Sequence, residues 1–267
     1  MKKIEKENAT FQQVLALKTN RTKRTQMGKF FVEGVQGIKD AISNGWEISA
    51  VFFTELSKLS NWTKDLVSSL KCEKYEISNE LMEKLSQKTD TSELVATFKM
   101  KELEFEPKSK QPLILLIDRP SKKENLGNII RSADAFNVDL ILFTGHSVDI
   151  FDPVVIRTSM GSFFKVPFKH MASNNEIDEF VKSMRDKHKD FQIVATSLQA
   201  EDDIHSIDFK LPTLLLVGNE REGLNNHLNS ICDKKAKIAM GGNLDSLNIA
   251  SATAIFLFTA YYSKIKP

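Results

Sequence analysis

Five apolar runs in the second half of the chain, at 113–117, 138–144, 192–196, 213–217 and 236–240, have the length and near-continuous hydrophobicity of strands covered on both faces. Helical spacing fills most of the intervals between them. Leu126, Ile129, Ile130 and Ala133 recur on one stripe, as do Ile177, Phe180, Val181 and Met184, and residues 248–262 form an apolar terminal helix. Such alternation predicts a parallel sheet with helices on both faces, whose ligands bind at the carboxyl ends of the strands. The first half is patterned differently. Short strands are expected at 30–32, 50–54 and 74–77, with helices at 35–44, 62–70 and 79–88, which makes a small α/β module. Between the halves, EPKSKQP at 106–112 is polar and carries two prolines, so it is read as a linker separating domains at 1–108 and 109–267.

Composition narrows the class without naming a function. A chain of 267 residues with 41% apolar content can fill ordinary cores and carries no signature of disorder. No charged segment leads into an apolar stretch at the N-terminus, and the terminal apolar stretch is too short to span a bilayer, so a soluble, cytoplasmic protein without membrane contact is expected. Cys72 and Cys232 have no second Cys or His at ligand spacing, which indicates neither a metal site nor a disulfide framework. The net charge is only +2, yet Lys2, Lys3, Lys6, Lys18, Arg21, Lys23, Arg24 and Lys29 face only Glu5 and Glu7 in the first thirty residues. That basic end suits a phosphate backbone, although a solvated helix face has the same composition.

Three polar segments follow apolar runs, where a parallel sheet places its ligands. In NLGNIIRSA, Asn125 ends a polar loop, Gly127 lets the chain turn close to a ligand, and Arg131 projects from the ensuing helix; a capped helix with a surface arginine reads the same way. In GNEREGL, Gly218 and Asn219 offer main-chain groups to a flat ligand, and Glu220 brings a carboxylate that could equally serve a helix N-terminus. In IAMGGNLDSLNIA, Ser246 and Asn248 precede the last helix, where capping competes with function and can coexist with it. Neither GxGxxG nor GxxxxGK occurs, which removes the main support for dinucleotide and P-loop readings. Arg157, beside Gly161, could clamp a phosphate bidentately or simply face solvent.

Together and in this order, the segments resemble the motifs of the SpoU (TrmH-like) branch of the SPOUT RNA methyltransferases. NxGxxR is matched at Asn125, Gly127 and Arg131, and GxExxGL at Gly218, Glu220, Gly223 and Leu224; SLNIAS stands where the family usually has SLNVS, with Ala250 replacing the final Ser. RTQMGKFFVEGVQG from Arg24 is similar to the family's L30e-like recognition domain. The resemblance implies a trefoil-knotted parallel-sheet domain that transfers a methyl group from S-adenosylmethionine to a ribose 2′-oxygen of structured RNA, ribosomal RNA being preferred to transfer RNA by analogy. It implies catalytic roles for Arg131, Asn125, Glu220, Ser246 and Asn248, and a cofactor wall of Thr196, Gly218, Asn219, Glu220, Ile238, Met240 and Leu247. Arg21, Lys23, Arg24, Lys29 and Arg157 become the candidate RNA contacts, and a homodimer through the terminal helix is expected. A noncatalytic RNA-binding or assembly protein, a tRNA ribose methyltransferase and a base methyltransferase remain alternatives at this point.

Overall fold

Residues 1–101 build a five-stranded sheet in the order β1-β4-β3-β5-β2, from β1 (Lys2–Ile4), β2 (Lys29–Glu33), β3 (Ile48–Phe53), β4 (Glu73–Ile77) and β5 (Leu94–Lys99). Its helices are α1 (Ala9–Thr19), α2 (Arg21–Met27), α3 (Val35–Ser43), α4 (Asn61–Ser69) and α5 (Asn79–Leu85). Four of them start where a side-chain oxygen relieves an orphan amide: Asn8, Asn20, Ser60 and Ser78 accept from Phe11, Lys23, Thr63 and Leu81. One core collects Ile4, Phe11, Val14, Leu17, Phe31, Phe52 and Tyr75. The computed structural model describes residues 1–86, 91–101, 105, 109–243 and 246–265. Gln87 and Lys88 at the end of the third expected helix, Glu106 to Lys108 of the linker, and Leu244 and Asp245 of the third motif lie outside the described residues.

The second unit holds a seven-stranded sheet in the order β10-β12-β9-β11-β6-β7-β8, every pairing parallel. The chain enters it through β6 (Leu113–Asp118), α6 (Lys123–Ala135) and β7 (Leu140–Thr144). It then leaves at Asp149–Phe164, which carries α7 (Pro153–Thr158) and belongs to the first compact unit with Met1–Lys101. It returns for β8 (Phe168–Met171), α8 (Asn174–Lys187), β9 (Gln192–Thr196), β10 (Asp202–Asp203), β11 (Thr213–Val217), α9 (Asn226–Ile231), β12 (Lys234–Lys237) and α10 (Ile249–Ile265). Ile114, Leu116, Leu142, Ile193, Leu214 and Leu216 bury against Ile177, Val181 and Met184 of α8. Alternate residues of the same strands serve the opposite face, and α6 and α10 pack on one another. Among the described residues no helix is long and apolar enough to cross a membrane.

The excursion at 149–164 is where packing departs most from the linker-based division, which left this segment with the second domain. Arg24, only 2% exposed, explains it. Its Nε donates to Asp149 Oδ2 at 2.6 Å, its Nη2 lies 3.5 Å from Asp152 Oδ2, and its Nη1 donates to the carbonyls of Leu17 and Lys18. Phe30 packs against Phe151 and Phe163 at 5.1 and 5.8 Å between centroids, and Trp46 Nε1 donates to the Phe164 carbonyl at 3.0 Å. Hydrophobicity records that such residues are buried, not which unit buries them.

Smaller departures matter for the site. α6 begins at Lys123, so Asn125 and Gly127 lie inside the helix and not in the loop before it. β12 ends at Lys237, which leaves Ile238 and Met240 in the loop beyond the strand. The pattern did not reveal β1, β5 or β8; β8 buries only its two end residues, Phe168 and Met171.

Candidate active site

Loops beyond the carboxyl ends of β9, β11 and β12 enclose a cavity of about 860 Å³, within the range of small-molecule sites. Thr196 and Leu198 come from the end of β9, residues 218–224 from the loop after β11, and Ile238 and Met240 from beyond β12. Asn125 of α6, Ser246, Leu247 and Asn248 before α10, and Phe256 within α10 complete the wall.

The loop after β11 closes on itself. Asn219 and Gly223 exchange backbone hydrogen bonds of 3.0 Å in both directions, and Asn219 Oδ1 accepts from the amides of Arg221 and Glu222. Gly218 makes this closure possible, since a Cβ there would meet the Gly223 carbonyl carbon and the Leu224 nitrogen at 2.5 Å. Glu220 projects from the loop and is gripped at both oxygens. Ser121 Oγ donates to Oε2 at 2.6 Å, and Asn125 Nδ2 to Oε1 at 3.1 Å. Asn248 Nδ2 in turn donates to Asn125 Oδ1 at 3.1 Å, while its own Oδ1 caps α10 by accepting from Ala250 N. Capping and site-building thus coexist in Asn248, and Ala250 is buried with its amide already used.

Burial pushes the Glu220 carboxyl up, but the donors Ser121 and Asn125, a backbone amide and the charge of Lys122 outweigh it and hold the group below the usual carboxylate range. The result is a fixed anion on the cavity wall. Beneath the loop, Asp118 is fully buried and accepts from Thr144 Oγ1 at 2.6 Å and Asn225 N at 2.8 Å. Burial again raises this carboxyl, and the bonds from Arg119, Thr144 and Asn225 reverse the shift. A depressed folded pKa stabilises above the unfolded value, about 3.9 for Asp, and that stability is lost as pH falls through the depressed value. Asp118→Asn is therefore expected to be less stable than the parent in urea unfolding at neutral pH, by a margin that shrinks below about pH 4. A margin independent of pH would show that the charge is not used.

A family model described as the SpoU rRNA Methylase family matches residues 112–258, over half of the chain, and one described as the SpoU L30e-like domain matches residues 8–96. The chain belongs to the SpoU rRNA methylase family. It is 35% identical to a 23S rRNA (uridine(2479)-2'-O)-methyltransferase of Streptomyces viridochromogenes, over 99% of this chain and 93% of that protein. RlmP of Bacillus subtilis, a 23S rRNA (guanosine(2553)-2'-O)-methyltransferase, is 26% identical over 97% of this chain and 98% of its own. The crystal structure of the SpoU methyltransferase AviRb from Streptomyces viridochromogenes in complex with the cofactor AdoMet matches with a TM-score of 0.92 at 35% identity, over 97% of this chain and 99% of that one. The α/β reading, a parallel-sheet SpoU unit preceded by an L30e-like unit, holds.

Within this SpoU fold, Thr196, Gly218, Asn219, Glu220, Ile238, Met240 and Leu247 all line the cavity, as do Asn125, Ser246 and Asn248. Arg131 does not. It is exposed and, six residues along α6 at about 100° each, stands about 120° around the helix from the buried Asn125, on a different face. Arg24 must be withdrawn from the RNA contacts, because its guanidinium is enclosed and paired with Asp149. Lys18 is also engaged, donating to the carbonyls of Lys84 and Ser86, with its pKa lowered by burial against the opposing charge of Glu33. Arg21, Lys23 and Arg157 are exposed, and Lys29 is half-buried. Sequence reasoning missed Ser121, whose place in a short polar loop carries no pattern, and also Leu198 and Phe256, whose apolar character reads as ordinary core.

Proposed function

We propose that this chain is an S-adenosylmethionine-dependent methyltransferase that modifies a ribose 2′-hydroxyl of ribosomal RNA in the cytoplasm. The observation that carries the reading is the cavity itself, which draws its wall from all three motifs at neighbouring strand ends. Its residues fit the cofactor: the volume suits a nucleoside-sized molecule, Leu198, Leu247 and Phe256 offer apolar contact, and the ionised Glu220 suits a cationic ligand.

When bound, the cofactor supplies an electrophilic methyl carbon on a sulfonium. The chain's own part is positional and electrostatic, and placing reactants at near-attack distance can lower a barrier by about 7–11 kcal/mol. Glu220, Asn125 and Asn248 form a connected polar chain that fixes the loop after β11, α6 and the start of α10 relative to one another. Arg131 is assigned the cation that orients the target and stabilises the incipient alkoxide, the proton leaving to a phosphate oxygen or water. Because its own helix turns it away from the cavity, the site is proposed to be completed by a second copy of the chain. Ile255, Phe258, Tyr262 and Ile265 support this, forming an exposed apolar stripe at spacings of three and four along α10. The trefoil threading implied by the family is part of the same proposal, supported by a wall that residues 196–199, 217–224, 235–238 and 246–249 share.

The deciding experiment incubates the protein with S-adenosylmethionine and ribosomal RNA and maps linkages that resist alkaline cleavage. A new resistant linkage is expected. Cofactor binding without methyl transfer would favour a noncatalytic RNA-binding protein, and a methylated nucleotide still cleaved by alkali would favour base modification. For RNA capture, replacing Arg21, Lys23 and Arg157 by Gln is expected to weaken binding and to flatten its salt dependence, by roughly 0.7–0.9 in log–log slope per lost phosphate contact. An unchanged slope would remove these cations from the footprint.

A further inference from the structure

We propose that Arg119 is a positioning residue of the methyl-transfer site, latching the loop that carries Glu220 to the end of β6 and so setting the cofactor-facing wall. The proposal rests on the reading that this cavity takes S-adenosylmethionine. Arg119 directly follows β6 and has φ of 50°, a left-handed conformation that residues with a Cβ rarely adopt. From there its backbone and its side chain reach the same loop. Its carbonyl accepts from Asn219 Nδ2 at 2.8 Å, its Nη2 donates to the Gly223 carbonyl at 3.1 Å, and its Nη1 pairs with Glu222.

The guanidinium is held from below by Asp118, which Nε and Nη2 meet at 3.2 and 3.1 Å. Asp118 also receives the Asn225 amide, so one strand end fastens the loop at Asn219, Glu222, Gly223 and Asn225. Two residues past Arg119, Ser121 grips Glu220 itself. Gly145 leaves room for the latch, because a Cβ there would lie 2.7 Å from Arg119 Cγ. Among the described residues, and apart from the neighbouring Asp118, the hydrogen-bonding and ionic partners of Arg119 belong to this loop. Its loss should therefore loosen the loop and leave the sheet intact. Strain beside a site is a reasonable pointer to function when, as here, the surrounding contacts determine it.

The test compares the full-length parent with Arg119→Gln, Arg119→Lys and Glu222→Gln. Three quantities are read: S-adenosylmethionine affinity by calorimetry, hydrogen–deuterium exchange of the cofactor-free protein, and the thermal midpoint. For Arg119→Gln, the cofactor dissociation constant is expected to rise about tenfold or more, with faster exchange confined to peptides covering 218–225 and a lowered midpoint, because buried Asp118 loses its cation. Arg119→Lys, which keeps the charge and loses the fork, should fall between. Glu222→Gln, on the exposed arm, should shift exchange and affinity in the same direction by less. Parent-like exchange and affinity in Arg119→Gln would overturn the proposal, as would acceleration spread over the whole sheet. If Arg119→Gln does not fold, a Glu222→Gln variant indistinguishable from the parent overturns it alone. A parent that binds no S-adenosylmethionine would instead sink the underlying reading of the cavity.

Discussion

Replacing Arg131 by alanine is expected to slow methyl transfer by roughly 10²- to 10³-fold, the loss typical of removing one donor to a developing oxyanion. Cofactor affinity should not change, since Arg131 is absent from the cavity wall. The geometry of α6 makes a sharper test available. If the guanidinium acts on a partner's site, subunits carrying Arg131→Ala and subunits carrying Glu220→Ala are each inactive, yet a mixed dimer contains one intact site. Random reassociation of equal amounts should then restore about a quarter of the parental activity, as a symmetric dimer requires. Two inactive preparations that stay inactive after verified subunit exchange would rule out supply across the interface. Sedimentation of the parent as a monomer at working concentrations would do so independently.

The second large effect concerns stability. Asp149→Ala removes the 2.6 Å partner of the buried Arg24 guanidinium and leaves Asp152 at 3.5 Å. Breaking a buried ion pair from one side can cost about 3–5 kcal/mol, and the remaining Asp152 and the carbonyls of Leu17 and Lys18 set the loss toward the lower end of that range. Urea unfolding should record this as a lower midpoint. A fragment ending at Lys101 goes further, since it lacks Asp149 and Asp152 together with Phe151, Phe163 and Phe164, which pack around Phe30 and Trp46. Such a fragment is expected to lack a cooperative unfolding transition. Dispersed amide resonances and a sharp melt from residues 1–101 alone would contradict the assignment of 149–164 to that unit.

The sequence made the parallel sheet legible because strands buried on both faces read as unbroken apolar runs: 113–117 and 213–217 sit within a residue of β6 and β11. It also located the cavity, since a parallel sheet presents its strand ends on one side and the polar segments follow those ends. Direction was not legible. Asn125 and Arg131 belong to one motif, yet helical geometry sends them to different sides, and one motif letter per position does not record an angle. Nor was burial of charge. Arg24 stands among seven other basic residues near the N-terminus, and nothing local separates the one enclosed by Asp149 from those facing solvent. Latching contacts were hidden for a third reason. Arg119 meets Asn219, and Ser121 meets Glu220, across about a hundred residues of chain, and hydrogen-bond complementarity at that range leaves no periodic trace.

The borrowed segment at 149–164 imposes an order on biosynthesis. When Lys101 leaves the ribosome, Arg24 lacks the carboxylates of Asp149 and Asp152, and Phe30 and Trp46 lack the rings of Phe151 and Phe163. Completion waits for about 60 more residues, a delay of about 3–12 s at about 5–20 residues per second. During that interval the emerging chain carries an unfinished aromatic face.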